Sequence, residues 1–283
     1  MSSKSTAEML QDLIDSKYDM KSAIEERGVT VTGGLSTYAG LLRGLKQNPN
    51  YIKFGYSYEL KSIPEFNTAG YNDMSFMFAA CTSLTTIPLL DASNVTDMHN
   101  MFDGCTALTT IPLLDTSNVT SMDCMFGWCK KLSSIPQLDT SNVKNMRWMF
   151  QSCTSLTTIP LLDTSNVTDM SSMFNGCTSL TEIPLLDASS VSDISGMFNG
   201  CNSAVLINGL TNLGKEDFEK DIIWAFYDIT NKISLQNIIN TAWDRKSNGQ
   251  KDVTLVFNSK IYLGVEYSKI AKNKGWIIEY VYV

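Results

Sequence analysis

One block of sequence repeats along the middle of this chain without insertion or deletion, and it constrains the fold more than any other feature. Its clearest copy reads LLDTSNVTDMSSMFNGCTSLTEIP, from Leu161 to Pro184. A Met-Phe pair recurs at one place in every copy, at residues 77–78, 101–102, 125–126, 149–150, 173–174 and 197–198. A fixed period of this length is typical of a solenoid, in which each repeat is one coil stacked on the next.

Each copy carries signals for a strand, a turn and a short helical segment. The LTTI segment predicts a strand that ends at a proline, because proline cannot donate a hydrogen bond to a sheet. The Asp-Thr-Ser-Asn segment predicts a turn, and VTDMSSMFNGC predicts a short α or 3-10 segment. We therefore expect an α/β solenoid with a parallel sheet on one face and short helical segments on the other. The side chains expected to fill one coil are Leu84, Ile87, Val95, Met98, Phe102 and Cys105.

The repeats are flanked by segments of different character. Residues 1–48 predict a helical docking or oligomerisation segment, and residues 49–59 alternate in polarity as a capping strand would. The solenoid is assigned to residues 60–208, and divergent repeats or a cap to residues 209–283. Within that cap we expect helices at 215–227 and 234–243, a strand at 253–257 and a helix that ends at Gly275. The apolar stripe of the first segment consists of Leu10, Leu13, Ile14, Met20 and Ile24.

Six of the seven cysteines occupy one column of the repeat, at residues 81, 105, 129, 153, 177 and 201. Stacked coils bring equivalent residues to about 4.8 Å, so the spacing does not exclude disulfides between neighbours. We favour a ladder of small, buried, reduced thiols. One cysteine per coil without a histidine beside it cannot complete a zinc site.

An aspartate column, at residues 91, 115, 139, 163 and 187, admits two interpretations. Stacked carboxylates could bind Ca²⁺, or each could accept hydrogen bonds from the backbone of its own turn. We favour the second interpretation and predict no metal and no cofactor. Asn94, Asn118 and Asn166 stand in glycosylation sequons, but their place in a structural column argues against modification.

Composition excludes several classes of function. The formal net charge of −7 argues against binding nucleic acid through phosphate contacts. No apolar run is long enough for membrane insertion, and the first residues lack the apolar region of a secretion signal. The single histidine, His99, and the absence of nucleotide-binding glycine motifs predict a protein that is not an enzyme.

The third and fourth full repeats depart from the consensus in a way that predicts a contact patch. Basic and indole side chains replace small polar residues there. Tryptophan and arginine dominate interface hot spots, and tryptophan also stacks on sugars. The alternative is that these are drifted surface residues with the tryptophans packed on their neighbours. The residues of this candidate patch are Trp128, Lys130, Lys131, Lys144, Arg147 and Trp148.

The segment SNVTDMSSMFNGCTSLT resembles the repeat of BspA-like leucine-rich repeat proteins, over about residues 60–205. That resemblance implies a leucine-rich-repeat-type solenoid and a surface-bound adhesin without catalytic residues in its repeats. The segment SLQNIINTAWDRKSNGQKDVTLVF is similar to the start of an end module that follows such repeats in gut bacteria and their phages. The N-terminal LIDSKYDMKSAIEERGVTVTGGLSTYAGLLRGL is similar to a segment of bacteriophage tail-fibre and virion proteins, including those of crAss-like phages.

Together these resemblances imply a non-enzymatic bacteriophage virion protein, a fibre, decoration or tail-associated subunit, assembled in the host cytoplasm. The N-terminal helices would contact other virion proteins or form a homo-oligomer, with a trimer favoured. The solenoid would contact a host surface protein or glycan. The alternative is a BspA-like adhesin on the bacterial cell surface.

Overall fold

The computed structural model describes residues 53–63, 68–201, 206–213, 225, 232–242, 248, 253–258 and 265–281. The predicted N-terminal helical segment, with Leu10, Leu13, Ile14, Met20 and Ile24, lies outside the described residues. The predicted helix at 215–227 also lies outside them, apart from Ala225. In the described repeats, each copy of the block forms one coil, and each coil stacks on the next.

A file of phenylalanine rings forms the centre of the stack. Each ring from Phe78 to Phe198 lies 5.5–5.8 Å from its neighbour, measured between centroids, and the planes are within 11° of parallel. All of these rings are completely buried. The file extends one coil further, because Phe54 stacks on Phe78 at 5.6 Å. The prediction that Phe102 fills the interior of its coil is confirmed, and its equivalents form one buried file.

The backbone of the Met-Phe segment makes turns, so the predicted helical segment is wrong. In one coil, Met98, Asn100, Phe102 and Gly104 donate their N–H groups to carbonyls of the next coil. The alternate residues Met101, Asp103 and Cys105 donate to carbonyls three residues back in their own coil. Two residues per coil have positive φ, which a regular α-helix does not allow.

Parallel pairing between coils is confirmed, but it is less extensive than the sequence predicts. Strand β1 (Glu182–Ile183) pairs with β3 (Leu206–Ile207), and β2 (Leu186–Asp187) pairs with β4 (Leu210–Thr211). In earlier coils the LTTI segments share single bonds, such as Thr109 N to Thr85 O at 3.3 Å. Isolated parallel bridges join the coils elsewhere, at residues 73, 97, 121, 145, 169 and 193.

The predicted capping strand at 49–59 is absent from its described part, where residues 55–56 and 58–59 form turns. Phe54 is buried in the ring file, whereas Tyr56 and Tyr58 are exposed. These residues therefore form part of a divergent coil, the first that the structure describes, in which Phe54 stands one full repeat before Phe78. Lys53 ties this coil to the next through its Nζ, which lies 3.1 Å from Asp73 Oδ2.

The C-terminal part contains α1 (Lys232–Thr241), β5 (Val253–Asn258), α2 (Val265–Asn273) and β6 (Trp276–Val281). Strands β5 and β6 are parallel, with Val253 opposite Trp276. Gly275, with φ of 82°, follows the end of α2 as predicted. No helix in the described part of the chain is long and apolar enough to cross a membrane.

Helix α1 covers the edge of the last repeat. Ser234 Oγ accepts a hydrogen bond from Ile207 N at 2.8 Å, and Asn237 Nδ2 donates to Ile207 O at 3.1 Å. Both backbone polar groups of this β3 residue are therefore satisfied by side chains instead of by a further strand. Lys274 in turn donates to carbonyls at the end of α1, including that of Asn240 at 2.8 Å.

Candidate contact surface

Both candidate tryptophans occupy left-handed backbone positions. Trp128 has φ of 58° and shares its column with Gly104 and Gly176, whereas Trp148 has φ of 56° and shares its column with Asn100. Glycine and asparagine adopt this conformation readily, but for a bulky residue it costs on the order of 1–2 kcal/mol. The fold therefore holds two large side chains where small ones would be more stable.

Each tryptophan carries a cation on its ring. The guanidinium carbon of Arg147 lies 3.6 Å from the Trp148 ring centroid, and Lys130 Nζ lies 5.3 Å from the Trp128 ring centroid. The Trp128 side chain remains 46% exposed. The backbone N–H of Trp128 donates to Gln151 O of the next coil at 2.7 Å, and this bond fixes the backbone beneath the side chain. The result is two cation–indole pairs on adjacent coils.

The other two predicted patch residues take no part in these pairs. Lys131 and Lys144 are exposed, and no ring contact joins either of them to a tryptophan within the described residues. Lys144 belongs instead to a ladder of threonines, and its N–H donates to Thr120 O at 2.9 Å. The structure thus pairs Trp128 with Lys130 and Trp148 with Arg147, and it leaves Lys131 and Lys144 as separate charges.

Sequence reasoning missed an aromatic contact on the first coils. His99 Nδ1 lies 2.8 Å from Asp97 Oδ1, and the His99 ring meets Phe76 edge to face at 4.8 Å. Phe76 occupies the same left-handed column as Trp148, and His99 occupies the column of Arg147. The signal was available, because these two columns change residue type in almost every copy, whereas most columns inside the coil keep one type.

Two partly buried carboxylates accompany the tryptophan pairs, and the sequence did not single them out. A side chain at Gly127 would place its Cβ 2.7 Å from Asp103 Oδ1, so a larger residue there would require this carboxylate to shift. Asp123 Oδ1 is buried without a hydrogen-bond partner among the described residues. Burial raises the pKa of both groups, and their mutual repulsion adds to this at Asp103. Arg147 partly offsets the effect at Asp123.

We expect Asp103→Asn to stabilise the protein at neutral pH. Because the pKa of Asp103 is raised in the folded protein, folding favours the protonated acid. This preference stabilises the protein fully below the ordinary pKa of 3.8, and the stabilisation is lost as pH rises through the pKa of the folded state. Because the group is half-exposed, we expect a gain below about 1 kcal/mol. Urea unfolding at pH 7 and pH 3 checks this, since the gain should be absent at pH 3 and a loss at pH 7 would contradict it.

The aspartate column adopts the interpretation favoured from sequence. Oδ1 of Asp115, for example, accepts from Ser117 N at 3.1 Å and from Ser117 Oγ at 2.7 Å. Asn118 Nδ2 of the neighbouring sequon column donates to Ser93 O at 2.8 Å, so a glycan there would break a bond between coils. Among the described residues, no group of three His, Cys, Asp or Glu side chains is placed to hold a metal.

The cysteine ladder is also confirmed as buried and free of disulfides. Each thiol donates to the carbonyl of a phenylalanine in the previous coil, as Cys129 Sγ does to Phe102 O at 3.2 Å. Cys124 lies outside the ladder, in the column of Trp148, and is partly exposed. Burial and nearby carboxylates raise its pKa to about 12.

We therefore expect iodoacetamide to modify only Cys124 in the native protein, and slowly. A pKa of about 12 leaves roughly 1,000-fold less thiolate at pH 8 than the ordinary value of 9.0 would. Mass spectrometry should find one slow site in buffer, with a rate that rises with pH, and seven sites in urea. Fast modification of any ladder cysteine in the native protein would contradict the buried ladder.

Comparison with known proteins gives the family. The family model described as "Mycoplasma protein of unknown function, DUF285" matches residues 53–158, 109–212 and 154–254. No curated protein matches the chain. Among solved structures, the T. pallidum leucine-rich repeat protein is similar at 17% identity and a TM-score of 0.34, over 78% of this chain and 86% of that one. Because the family matches overlap and together span residues 53–254, the chain belongs to the DUF285 family of BspA-like repeat proteins.

Proposed function

We propose that this protein is a non-enzymatic attachment protein, in which a leucine-rich-repeat-type solenoid presents Trp128, Lys130, Arg147 and Trp148 to a partner. The observation that carries the proposal is the pairing of an indole with a cation on two adjacent coils, Arg147 at 3.6 Å from the Trp148 ring centroid and Lys130 at 5.3 Å from that of Trp128. These two large side chains occupy left-handed positions where most other copies carry a small residue. Membership of a BspA-like repeat family supports a role at a surface.

The chemistry of these residues supports a host surface protein or glycan as the partner. Tryptophan and arginine dominate the binding energy of protein interfaces, and an indole face also stacks on a sugar ring. The Arg147 guanidinium already covers one face of Trp148, and it adds donors for carboxylate or hydroxyl groups. The net charge of −7 disfavours nucleic acid as an alternative partner.

We place the protein on a bacteriophage virion, with residues 1–48 contacting other virion proteins or forming a homo-oligomer, most simply a trimer. The resemblance of this segment to tail-fibre and virion proteins supports that placement. The BspA-like repeats favour the alternative, an adhesin on the bacterial cell surface. Immunogold electron microscopy of purified virions and of uninfected cells separates the two, because label confined to uninfected cells would reject the virion.

Replacing Trp128 by glycine should weaken attachment without unfolding the protein. Loss of a hot-spot indole is expected to cost at least about 1 kcal/mol, or roughly fivefold in affinity. The free energy of unfolding should change by less than about 1 kcal/mol, because relief of the left-handed backbone offsets the lost packing. Titration of fluorescent protein onto host cells, together with urea unfolding, measures both quantities.

Ser152→Gly is the matched control, because Ser152 occupies the next position of the same column with φ of 56°. It should stabilise the fold by about 0.5–1 kcal/mol and leave attachment unchanged. Unchanged attachment in both Trp128→Gly and Trp148→Ala would reject the tryptophan pairs as the binding site.

A further inference from the structure

A row of exposed leucines runs along the stack, on residues that the contact surface does not use. Each proline from Pro88 to Pro184 is followed by two consecutive large residues, of which the second is buried and the first is exposed. We call the outward row the leucine ridge, which is interrupted once by Gln137. The exposed fractions of its leucines are 74% at Leu89, 65% at Leu113, 62% at Leu161 and 44% at Leu185.

A row of acidic side chains lies beside the leucine ridge. We call it the aspartate row, namely Asp91, Asp115, Asp139 and Asp163. Two adjoining grooves, of about 760 Å³ and 580 Å³, are lined by both the ridge and the row, and they share Gln137 and Asp139. The serine two residues on donates to each carboxylate of the row and lowers its pKa, so these groups stay ionised at neutral pH.

The distance from one coil to the next is close to the pitch of an α-helix. Equivalent phenylalanine ring centroids are 5.5–5.8 Å apart along the stack, hydrogen-bonded backbones of neighbouring coils are about 4.8 Å apart, and one turn of α-helix rises 5.4 Å. A helix parallel to the stack would therefore present one side chain to each coil in turn. An extended strand repeats the same face only every ~6.7 Å, so it would lose register within three coils.

We propose that these grooves bind an amphipathic, cationic helix of a partner protein, with an apolar residue on each turn against the leucine ridge and Lys or Arg beside it against the aspartate row. Apolar anchors laid in a groove are a recurring mode of helix recognition. The negative row supplies charge complementarity and disfavours an acidic helix. It also disfavours a second copy of this chain, because association through the ridge would bring two rows of ionised aspartates to one interface.

The test uses the full-length protein and a labelled synthetic peptide of about 18 residues, with leucine on each turn, lysine flanking it, and alanine and glutamine elsewhere. Fluorescence anisotropy should show saturable binding that weakens with salt. The double variant Leu113→Gln with Leu161→Gln should raise Kd at least about tenfold. Glutamine is the matched replacement, because Gln137 already occupies this column in the folded chain.

Two further variants make the readout specific. Gln137→Leu should tighten binding by roughly threefold to tenfold, since it completes the ridge. Asp115→Asn with Asp139→Asn keeps the acceptor for each serine and should weaken both the binding and its salt dependence. Absence of binding, equal binding of a peptide with glutamate in place of lysine, or an unchanged Kd in the Leu→Gln double variant would overturn the proposal. Self-association that the same double variant abolishes would overturn it in favour of a second copy.

Discussion

Phe126→Ala is expected to lower the free energy of unfolding by about 3–5 kcal/mol. Phe126 is completely buried, and its ring stacks on Phe102 at 5.6 Å and on Phe150 at 5.7 Å. Truncation leaves a cavity that the flanking rings cannot fill, because hydrogen bonds between coils fix their backbones on both sides. Urea unfolding monitored by circular dichroism gives the change directly.

Two other substitutions calibrate this result. Leu113→Ala removes a side chain that is 65% exposed, so we expect a loss below about 1 kcal/mol. Phe54→Ala truncates the end of the ring file, where the described part of the file offers a single stacking partner, so its cost should fall between the two. A Phe126→Ala protein no less stable than Leu113→Ala would contradict the ring file as the core of the stack.

Deletion of residues 141–164 should leave a folded protein that is one coil shorter. The join places Asp139 and Thr140 before Ser165 and Asn166, which restores the consensus turn. Phe126 would then stack on Phe174 as it now stacks on Phe150. In a repeat stack, the free energy of unfolding is approximately the sum of a contribution from each coil and one from each interface between coils. The deletion therefore lowers it by the contribution of one coil and one interface. Cooperative urea unfolding at a lower midpoint is the expected result.

Deletion of half as many residues should be far more damaging. Without residues 153–164, one coil lacks the side on which Cys153, Leu156, Ile159 and Leu162 are buried. The remaining half cannot return the chain to the start of the next coil, so the two flanking stacks lose contact. We expect circular dichroism and size exclusion to show a disordered or aggregated chain. If this variant were as stable as the shorter stack, the coil would not be the unit of folding.

Much of the interior could be predicted from the sequence, because most interior columns contain one kind of side chain. The phenylalanine file, the cysteine ladder and the aspartate turns all follow from an unbroken period and from the chemistry of one residue type. A period alone makes equivalent residues neighbours, and this holds whatever secondary structure each copy adopts. These predictions were therefore correct even though the helical segment of each copy was predicted wrongly.

The backbone path within each coil was predicted poorly, for a physical reason. Val95, Met98, Met101, Phe102 and Cys105 are spaced as on one face of a helix, and the same residues are buried by successive turns. The left-handed residues that separate these turns range from glycine to tryptophan, so composition does not mark them. The alternation of Phe54, Tyr56 and Tyr58 also led to a wrong prediction of a strand. Phe54 is buried because its ring stacks on Phe78 of the next coil, whereas Tyr56 and Tyr58 are exposed.

The candidate surfaces could be predicted only in part. The substitutions at Trp128 and Trp148 stand out in the sequence, but the cations that cover their rings are known only from the coordinates. The leucine ridge could not be predicted from the sequence, because a Leu-Leu pair does not show which of its two side chains is exposed. Hydrogen bonds of the neighbouring turn, such as the one that Ser117 N donates to Asp115 Oδ1, orient this part of the chain.

Because α1 covers the edge of the repeats at Ile207, it affects how this molecule can evolve. Every internal coil offers its successor the same donors, acceptors and rings, so duplication of one repeat in the gene would lengthen the molecule without a new interface having to arise. Growth stops where Ser234 and Asn237 occupy the polar groups that another coil would need. A variant stripped of this helix would expose a templating edge, and separate molecules could join end to end into filaments.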